Sequence, residues 1–231
     1  MYPRIKFKID PKKDVLSFFD FLKDAKYDEG RNFEWAVLKY YPYFKKFNEK
    51  IDKKIVQDFV FKYYSKNKKA IKKNLVTYKN NWEKIEKDFF ELVNNLFPGT
   101  KWPKGKYIAY TTMWSMYPRF LEDKTFQIPA ISKKKKTVYF IIAHEMLHFI
   151  FYEYLLNKYK KYQSHKYDFF VWHVSEIFNV IIMNRLSWQK ILKNKDEGYP
   201  EHRKIIKKLS KKEYDLDELI VNIMLEVNKI I

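Results

Sequence analysis

The chain has no cysteine among its 231 residues. A disulfide framework, a thiolate metal site and a cysteine nucleophile are therefore excluded, and the absence suits a reducing compartment.

Residues 1–14 also lack the apolar segment that a secretory signal peptide needs. A membrane span needs about 20 uninterrupted apolar residues. The best candidate, 138–156, contains two His and two Glu. We therefore expect a soluble, cytoplasmic protein.

Arginine is scarce although the chain is strongly basic. The formal net charge is +19, but only five of the 47 basic residues are arginine. Clustered lysines can bind nucleic acid or another anionic surface by releasing counterions from it. Phosphate recognition, however, often uses the planar arginine fork. The lysines also occur with many Asn, Ile, Tyr and Phe, a combination that a genome of low GC content explains. Binding of nucleic acid is therefore the second hypothesis rather than the first.

The apolar residues predict an α+β chain that is predominantly helical. The chain is 46% hydrophobic and 19% aromatic, which is enough for one sizeable core and a second small one. Helical periodicity runs from Pro11 to Phe97 and stops at Pro98 and Gly99. Aromatic and β-branched residues then predict short strands, which Pro118 and Pro129 confine to strand ends or edges. The predicted strands are 106–112, 119–121 and 125–128, and they are followed by helices at 137–159 and 169–186.

These patterns divide the chain into three predicted parts. Residues 1–98 form an N-terminal helical region, 99–192 a core, and 193–231 a C-terminal helical tail. The last apolar helix, 215–231, carries four acidic residues, so it either packs in the core or occupies a cleft as an inhibitory tail. His202, which follows Pro200 in a polar break, is predicted to be solvent-exposed.

Residues 144–148 read HEMLH, within a stretch that is otherwise almost entirely apolar or aromatic. Positions i and i+4 of a helix share one face, so His144 and His148 project side by side, as two ligands of one ion must. Glu145 lies one residue round the helix and can reach a water molecule on that ion. This is the HExxH pattern of zinc peptidases. The alternative is two hydrogen-bonded core histidines, but burying Glu145 beside them costs several kcal/mol without a partner or a metal.

A catalytic zinc needs a third protein ligand, and three residues compete for that role. Glu176 is a carboxylate inside an apolar stretch of the next long helix, where it could be brought over the metal. His165 lies in the loop before that helix, and His173 lies one turn before Glu176. We favour Glu176. The metzincin pattern is excluded because Phe151 and Tyr154 stand where that family needs Gly and His.

The chain resembles the gluzincins, zinc metallopeptidases that combine HExxH with a glutamate ligand on a following helix. The matching residues are His144, Glu145, His148 and Glu176, and Asn179 lies near a polar residue of some gluzincins. The resemblance covers about residues 100–190 and is greatest to the small minigluzincins. The Glu-x-x-x-Asp pattern of thermolysin-like enzymes is not met, because position 180 is Val. The resemblance implies a zincin-like core, built from a small mixed or antiparallel sheet, an active-site helix and a glutamate helix.

The same resemblance implies a zinc metallopeptidase that acts on a peptide or protein substrate. Glu145 would be the general base toward a metal-activated water, with His144, His148 and Glu176 as metal ligands. His173, Tyr167 and Tyr110 are the candidates for stabilising the oxyanion, and His173 is preferred. A strand at the cleft edge, either FQIP (126–129) or YIAYTT (107–112), would pair with extended substrate. The alternative is a basic protein that binds nucleic acid or an anionic surface and has a structural or vestigial metal site.

Overall fold

The structure is a computed structural model that describes residues 2–22, 33–47, 51–134, 137–165 and 169–231. The described residues form a predominantly helical α+β fold, as the sequence predicts, with one small mixed sheet. The α-helices are α1 (Pro11–Leu22), α2 (Phe33–Tyr40), α3 (Lys53–Glu83), α4 (Glu86–Leu96), α5 (Val138–Lys158), α6 (Phe169–Met183), α7 (Leu186–Leu192), α8 (Arg203–Leu209) and α9 (Leu216–Val227). Short 3-10 helices lie at Pro42–Phe47, Lys160–His165 and Pro200–His202.

The sheet has the order β1-β2-β4-β3. Strands β1 (Ile5–Lys8), β2 (Tyr107–Thr112) and β4 (Thr125–Pro129) are parallel neighbours, and β3 (Arg119–Phe120) pairs with β4 in the antiparallel direction. The three strands predicted from the sequence are confirmed. Strand β1 was not predicted, because four residues that alternate with lysine are too short a signal. Its partner is distant in sequence: Ile5 lies opposite Tyr107.

The sheet order contradicts the prediction that β2 or β4 lies at an edge. Strand β2 has β1 on one side and β4 on the other, and β4 lies between β2 and β3. The outermost strands of the described sheet are therefore β1 and β3. The prediction was wrong because the N-terminal segment adds β1 to the sheet, and because Arg119 and Phe120 pair with Phe126 and Thr125.

Helix α5 is buried on nearly all sides, because the sheet covers one face and α6 covers another. Toward the sheet, the ring of Phe149 contacts Tyr107 with the centroids 5.3 Å apart. Toward α6, the ring of Phe151 lies 4.5 Å from that of Phe178. The absence of a polar stripe on this helix follows from these two contacts. The same packing carries the HEMLH residues into the protein interior.

Two hydrophobic cores lie in the described residues. The larger one contains the apolar residues of α5 and α6 together with residues of α4, β2 and β4. The smaller one joins α1 and the first half of α3 to Trp114, Met116 and Ala130. Helix α3 begins at the N-cap Asp52, whose side chain accepts a hydrogen bond from the backbone nitrogen of Ile55.

The C-terminal helix α9 packs in the larger core, which is the first of its two predicted alternatives. Its apolar residues Leu219, Ile220, Ile223, Met224 and Val227 are buried there. Its acidic residues have other partners than the HEMLH residues. Asp215 caps the helix, and Asp217 pairs with Lys158. The tail therefore stabilises the fold through ordinary burial of apolar surface.

None of the helices in the described ranges is long and apolar enough to cross a membrane.

Candidate metal centre

Helix α5 brings two imidazoles together at the centre of the fold. The Nε2 atoms of His144 and His148 lie 3.0 Å apart, and the ring centroids lie 4.7 Å apart. The spacing of four residues puts both rings on one face of the helix. His148 is fully buried, whereas 15% of the His144 side chain is exposed. The pair therefore has one narrow side toward solvent.

Helix α6 supplies a carboxylate to the same point. Oε2 of Glu176 lies 3.2 Å from Nε2 of His144, and Oε1 lies 3.4 Å from Nε2 of His148. These three side chains form the group within the described residues that could hold a metal ion. Asn179, one turn further along α6, donates a hydrogen bond of 3.0 Å to the backbone carbonyl of His144. That bond ties the two ligand-bearing helices together at the level of the site.

The three side chains have a geometry that fits a small divalent cation. Two ligand atoms bonded to one tetrahedral zinc at its usual bond lengths are about 3.3 Å apart. The two imidazole nitrogens are 3.0 Å apart, and each has one oxygen of Glu176 nearby, Oε2 at 3.2 Å from His144 and Oε1 at 3.4 Å from His148, so these separations bracket that value. Two imidazoles and one carboxylate are also a donor set that catalytic zinc sites use.

Glu145 lies beside this group and is also buried, at 6% exposure. Its Oε2 atom has no hydrogen-bond partner in the described part of the chain. Burial raises the pKa of Glu145 to about 7, and the charges of His144 and Arg119 oppose that shift. A buried carboxylate with an unpartnered oxygen is costly in an apolar interior, so its position beside the candidate ligands calls for a chemical role.

Arg119 is part of the site, although no motif in the sequence contains it. Its Nη1 atom donates to Oε1 of Glu176 at 2.9 Å, and its Nη2 atom donates to Oγ of Ser175 at 3.2 Å. The hydroxyl of Tyr152 lies 3.4 Å from Nη2. The sequence does contain one sign of this role, because Arg119 is a single arginine in a short strand beside aromatic residues. A guanidinium buried there needs an anionic partner.

The charges of the site suit a metal ligand set. Burial lowers the pKa of His148 to about 3, so its imidazole is neutral, as a metal ligand must be. Burial alone would raise the pKa of Glu176, but the charged groups around it hold that pKa well below its usual range. Because His148 is neutral at pH 7, the charge of Arg119 and the hydrogen bond to His144, whose own pKa is raised by Glu176 against the effect of burial, keep Glu176 ionised.

His173 and His202 form a second, separate imidazole pair. Nδ1 of His173 lies 2.6 Å from Nε2 of His202, and the ring of Trp172 lies 5.7 Å from that of His202. The prediction that His202 is exposed was wrong, because it is fully buried. Burial lowers its pKa to about 4, so the neutral ring is accommodated in the interior. Helix α6 thus carries a candidate metal ligand, Glu176, and, one turn earlier, the His173 that contacts His202.

The other candidates from the sequence lie elsewhere. The side chain of His165 and all of Tyr167 lie outside the described residues. Tyr110 lies on β2, where Nζ of Lys13 is 5.4 Å from its ring centroid.

Comparison with protein-family models, with curated proteins and with solved structures finds no match for this chain. Its function is therefore argued from the chemistry of the site itself.

Proposed function

We propose that this chain is a zinc-dependent metallopeptidase whose metal ligands are His144, His148 and Glu176. The observation that carries the proposal is the convergence of two imidazole nitrogens, 3.0 Å apart, on the carboxylate of Glu176, whose two oxygens lie 3.2 and 3.4 Å from them, beside the buried Glu145. A structural zinc site is closed by four protein ligands, whereas a hydrolytic site uses three and leaves one position for water. Three side chains in the described residues suit the second class.

The resemblance to gluzincins supports the same proposal. By that resemblance α5 would be the active-site helix and α6 the glutamate helix, and α5 packs against both the small mixed sheet and α6. Asn179, which the resemblance places near a polar residue of that family, bonds the two helices together. The functional proposal therefore rests on the motif, on the helix pair and on the donor set.

The chemistry assigns a separate task to each side chain. A zinc ion held by His144, His148 and Glu176 would polarise the scissile carbonyl and make a water molecule more acidic. The carboxylate of Glu145, which has an unpartnered oxygen, accepts the proton of the attacking water and delivers it to the leaving amine. We assign His173 as the candidate donor to the oxyanion, because its Nε2 atom has no partner among the described residues while Nδ1 is held by His202.

The decisive experiment is the metal content of the purified protein, measured by elemental analysis. We expect about one zinc per chain in the wild type and a loss of zinc in His148→Ala and Glu176→Gln, because each variant removes one of three ligands. His202→Phe is the matched control, since it replaces a buried histidine outside the group. Retention of stoichiometric zinc by both ligand variants would refute the proposed site.

A second candidate function is binding of nucleic acid, and one feature of α3 favours it. Residues 59–82 contain seven lysines and no acidic residue. All seven lysines are exposed. The test is binding to a labelled DNA duplex at increasing salt, with and without a chelator. Binding that falls steeply with salt and survives chelation supports this function, because phosphate contacts release counterions.

A further inference from the structure

The proposed metal centre gives Arg119 no task, although its guanidinium is the charged group next to the carboxylate of Glu176. Its side chain is 12% exposed, and its Nη1 atom lies 2.9 Å from Oε1 of Glu176. A guanidinium repels a cation, so electrostatics alone would exclude it from the immediate surroundings of a metal ligand. Its presence there requires a compensating role.

The two oxygens of the Glu176 carboxylate have different neighbours. Oε1 accepts the hydrogen bond from Arg119 and lies 3.4 Å from Nε2 of His148, whereas Oε2 lies 3.2 Å from Nε2 of His144 and accepts nothing from Arg119. Ligating carboxylates are commonly held by hydrogen bonds to groups behind them, which fix their orientation. Glu176 has three side-chain torsions, and without such a bond its oxygens could turn away from the imidazoles.

Arg119 is itself held in place from several sides. Its backbone pairs with Phe126 in the sheet, and the preceding residue, Pro118, accepts a hydrogen bond from the backbone nitrogen of Gln127. Ser175 accepts from its Nη2 atom, and the guanidinium carbon lies 5.5 Å from the ring centroid of Tyr152. The sheet and both ligand-bearing helices thus determine where the guanidinium lies.

We propose that Arg119 is a positioning residue that holds one oxygen of Glu176 so that the other is presented to the metal ion. This inference rests on the proposed metal centre. For the loss of Arg119, this inference and simple electrostatics predict opposite changes in zinc affinity. Removal of a positive charge beside a cation should strengthen metal binding, whereas loss of the group that orients a ligand should weaken it by about 10- to 100-fold.

The test measures the zinc affinity of the full chain by competition with a chromophoric chelator, for the wild type, Arg119→Met and Arg119→Lys. We expect Arg119→Met to bind zinc about 10- to 100-fold more weakly. Arg119→Lys should lie in between, because an ammonium keeps the charge but cannot make the same forked contacts. The matched control is Arg185→Met, which removes a half-buried arginine bonded to the carbonyl of Tyr214.

The visible absorption spectrum of the Co²⁺-loaded protein gives a second measurement that a purely structural role would not move. We expect it to change in both Arg119 variants and to stay unchanged in Arg185→Met, because it reports the arrangement of the ligands. Zinc binding by Arg119→Met as tight as in the wild type, or tighter, overturns the inference. If Arg119→Met does not fold, Arg119→Lys provides the test. Wild-type zinc affinity in Arg119→Lys would then overturn the inference. Failure of the wild type itself to bind zinc would instead refute the proposed function.

Discussion

Nδ2 of Asn179 lies 3.0 Å from the backbone carbonyl oxygen of His144 and donates a hydrogen bond to it. The two residues belong to different helices, α6 and α5, and Asn179 is fully buried. Because Glu176 precedes Asn179 by one turn and His144 is itself a candidate ligand, this bond sets the separation of the two helices where the three ligand atoms meet.

Replacing Asn179 by Ala should therefore weaken metal binding. We expect zinc affinity to fall about 10-fold or more, as is usual when a group behind the ligands is lost. The free energy of unfolding should also fall by about 1–3 kcal/mol, because a buried hydrogen bond is removed. Chelator competition and thermal denaturation measure the two effects. Asn74→Ala is the control, since Asn74 is buried and bonds to the carbonyl of Ala130 in the smaller core. It should lose stability and keep its zinc affinity.

Replacing Glu145 by Gln should separate metal binding from catalysis. The amide has nearly the same shape but cannot accept the proton of water, so we expect hydrolysis of a peptide library to fall by about 100-fold or more. Zinc content should remain that of the wild type, because Glu145 is not one of the three ligands. Glu153→Gln, two turns further along α5, serves as the control with unchanged activity. Near-normal peptidase activity of Glu145→Gln would remove the proposed general base.

Replacing His202 by Phe should destabilise the protein, and more so at high pH. The aromatic ring keeps much of the volume, but Nδ1 of His173 loses its partner at a cost of about 1–3 kcal/mol. In the wild type, the buried ring stays neutral down to about pH 4, whereas the unfolded chain binds a proton below about pH 6.5. The wild type therefore loses stability as the pH falls through that window, and the variant does not.

Chemical denaturation at pH 8 and pH 5 measures this difference. We expect the deficit of His202→Phe to be smaller at pH 5 than at pH 8. If the variant loses the same free energy of unfolding at both pH values, folding does not change the pKa of the histidine pair.

Replacing Asp14 by Asn should stabilise the protein above neutral pH. Burial raises the pKa of Asp14 from 3.8 to about 7, although Oδ2 accepts hydrogen bonds from Tyr64 and from the backbone of Met113. Between these pH values the folded state binds more protons than the unfolded state, so stability falls as the pH rises. The shift corresponds to a loss on the order of 4 kcal/mol, which is complete above pH 7.

The neutral amide of Asp14→Asn can keep most of the hydrogen bonds. Gln127 donates to Oδ1 of Asp14 and has a buried, unpartnered Oε1 atom, so a rotated Gln127 amide can accept from the new NH2 group. We expect the variant to have a higher melting temperature than the wild type at pH 8 and a similar one at pH 4. A wild-type pH profile in the variant would contradict the assignment.

Local patterns predicted much of the core but missed contacts between distant segments. Helices α5 and α6 were predicted within three residues at each end, because long apolar runs with clear stops specify helices strongly. Strand β1 was missed because its partner lies about one hundred residues away in the chain, and a four-residue segment has no signal of its own. His202 was predicted to be exposed because its sequence neighbours are polar, whereas its burial is due to the rings of α6.

The sequence by itself determined that two histidines share a helix face with a glutamate beside them, because a helix has a fixed repeat of 3.6 residues. It also determined that Glu176 lies in an apolar helix where a lone carboxylate needs a partner. Only the tertiary structure decided which side chains meet. It brought Glu176 to within 3.2 Å of His144, placed Arg119 behind it, and paired His173 with His202. Those contacts depend on how the sheet and the helices pack against one another, which no local spacing in the chain encodes.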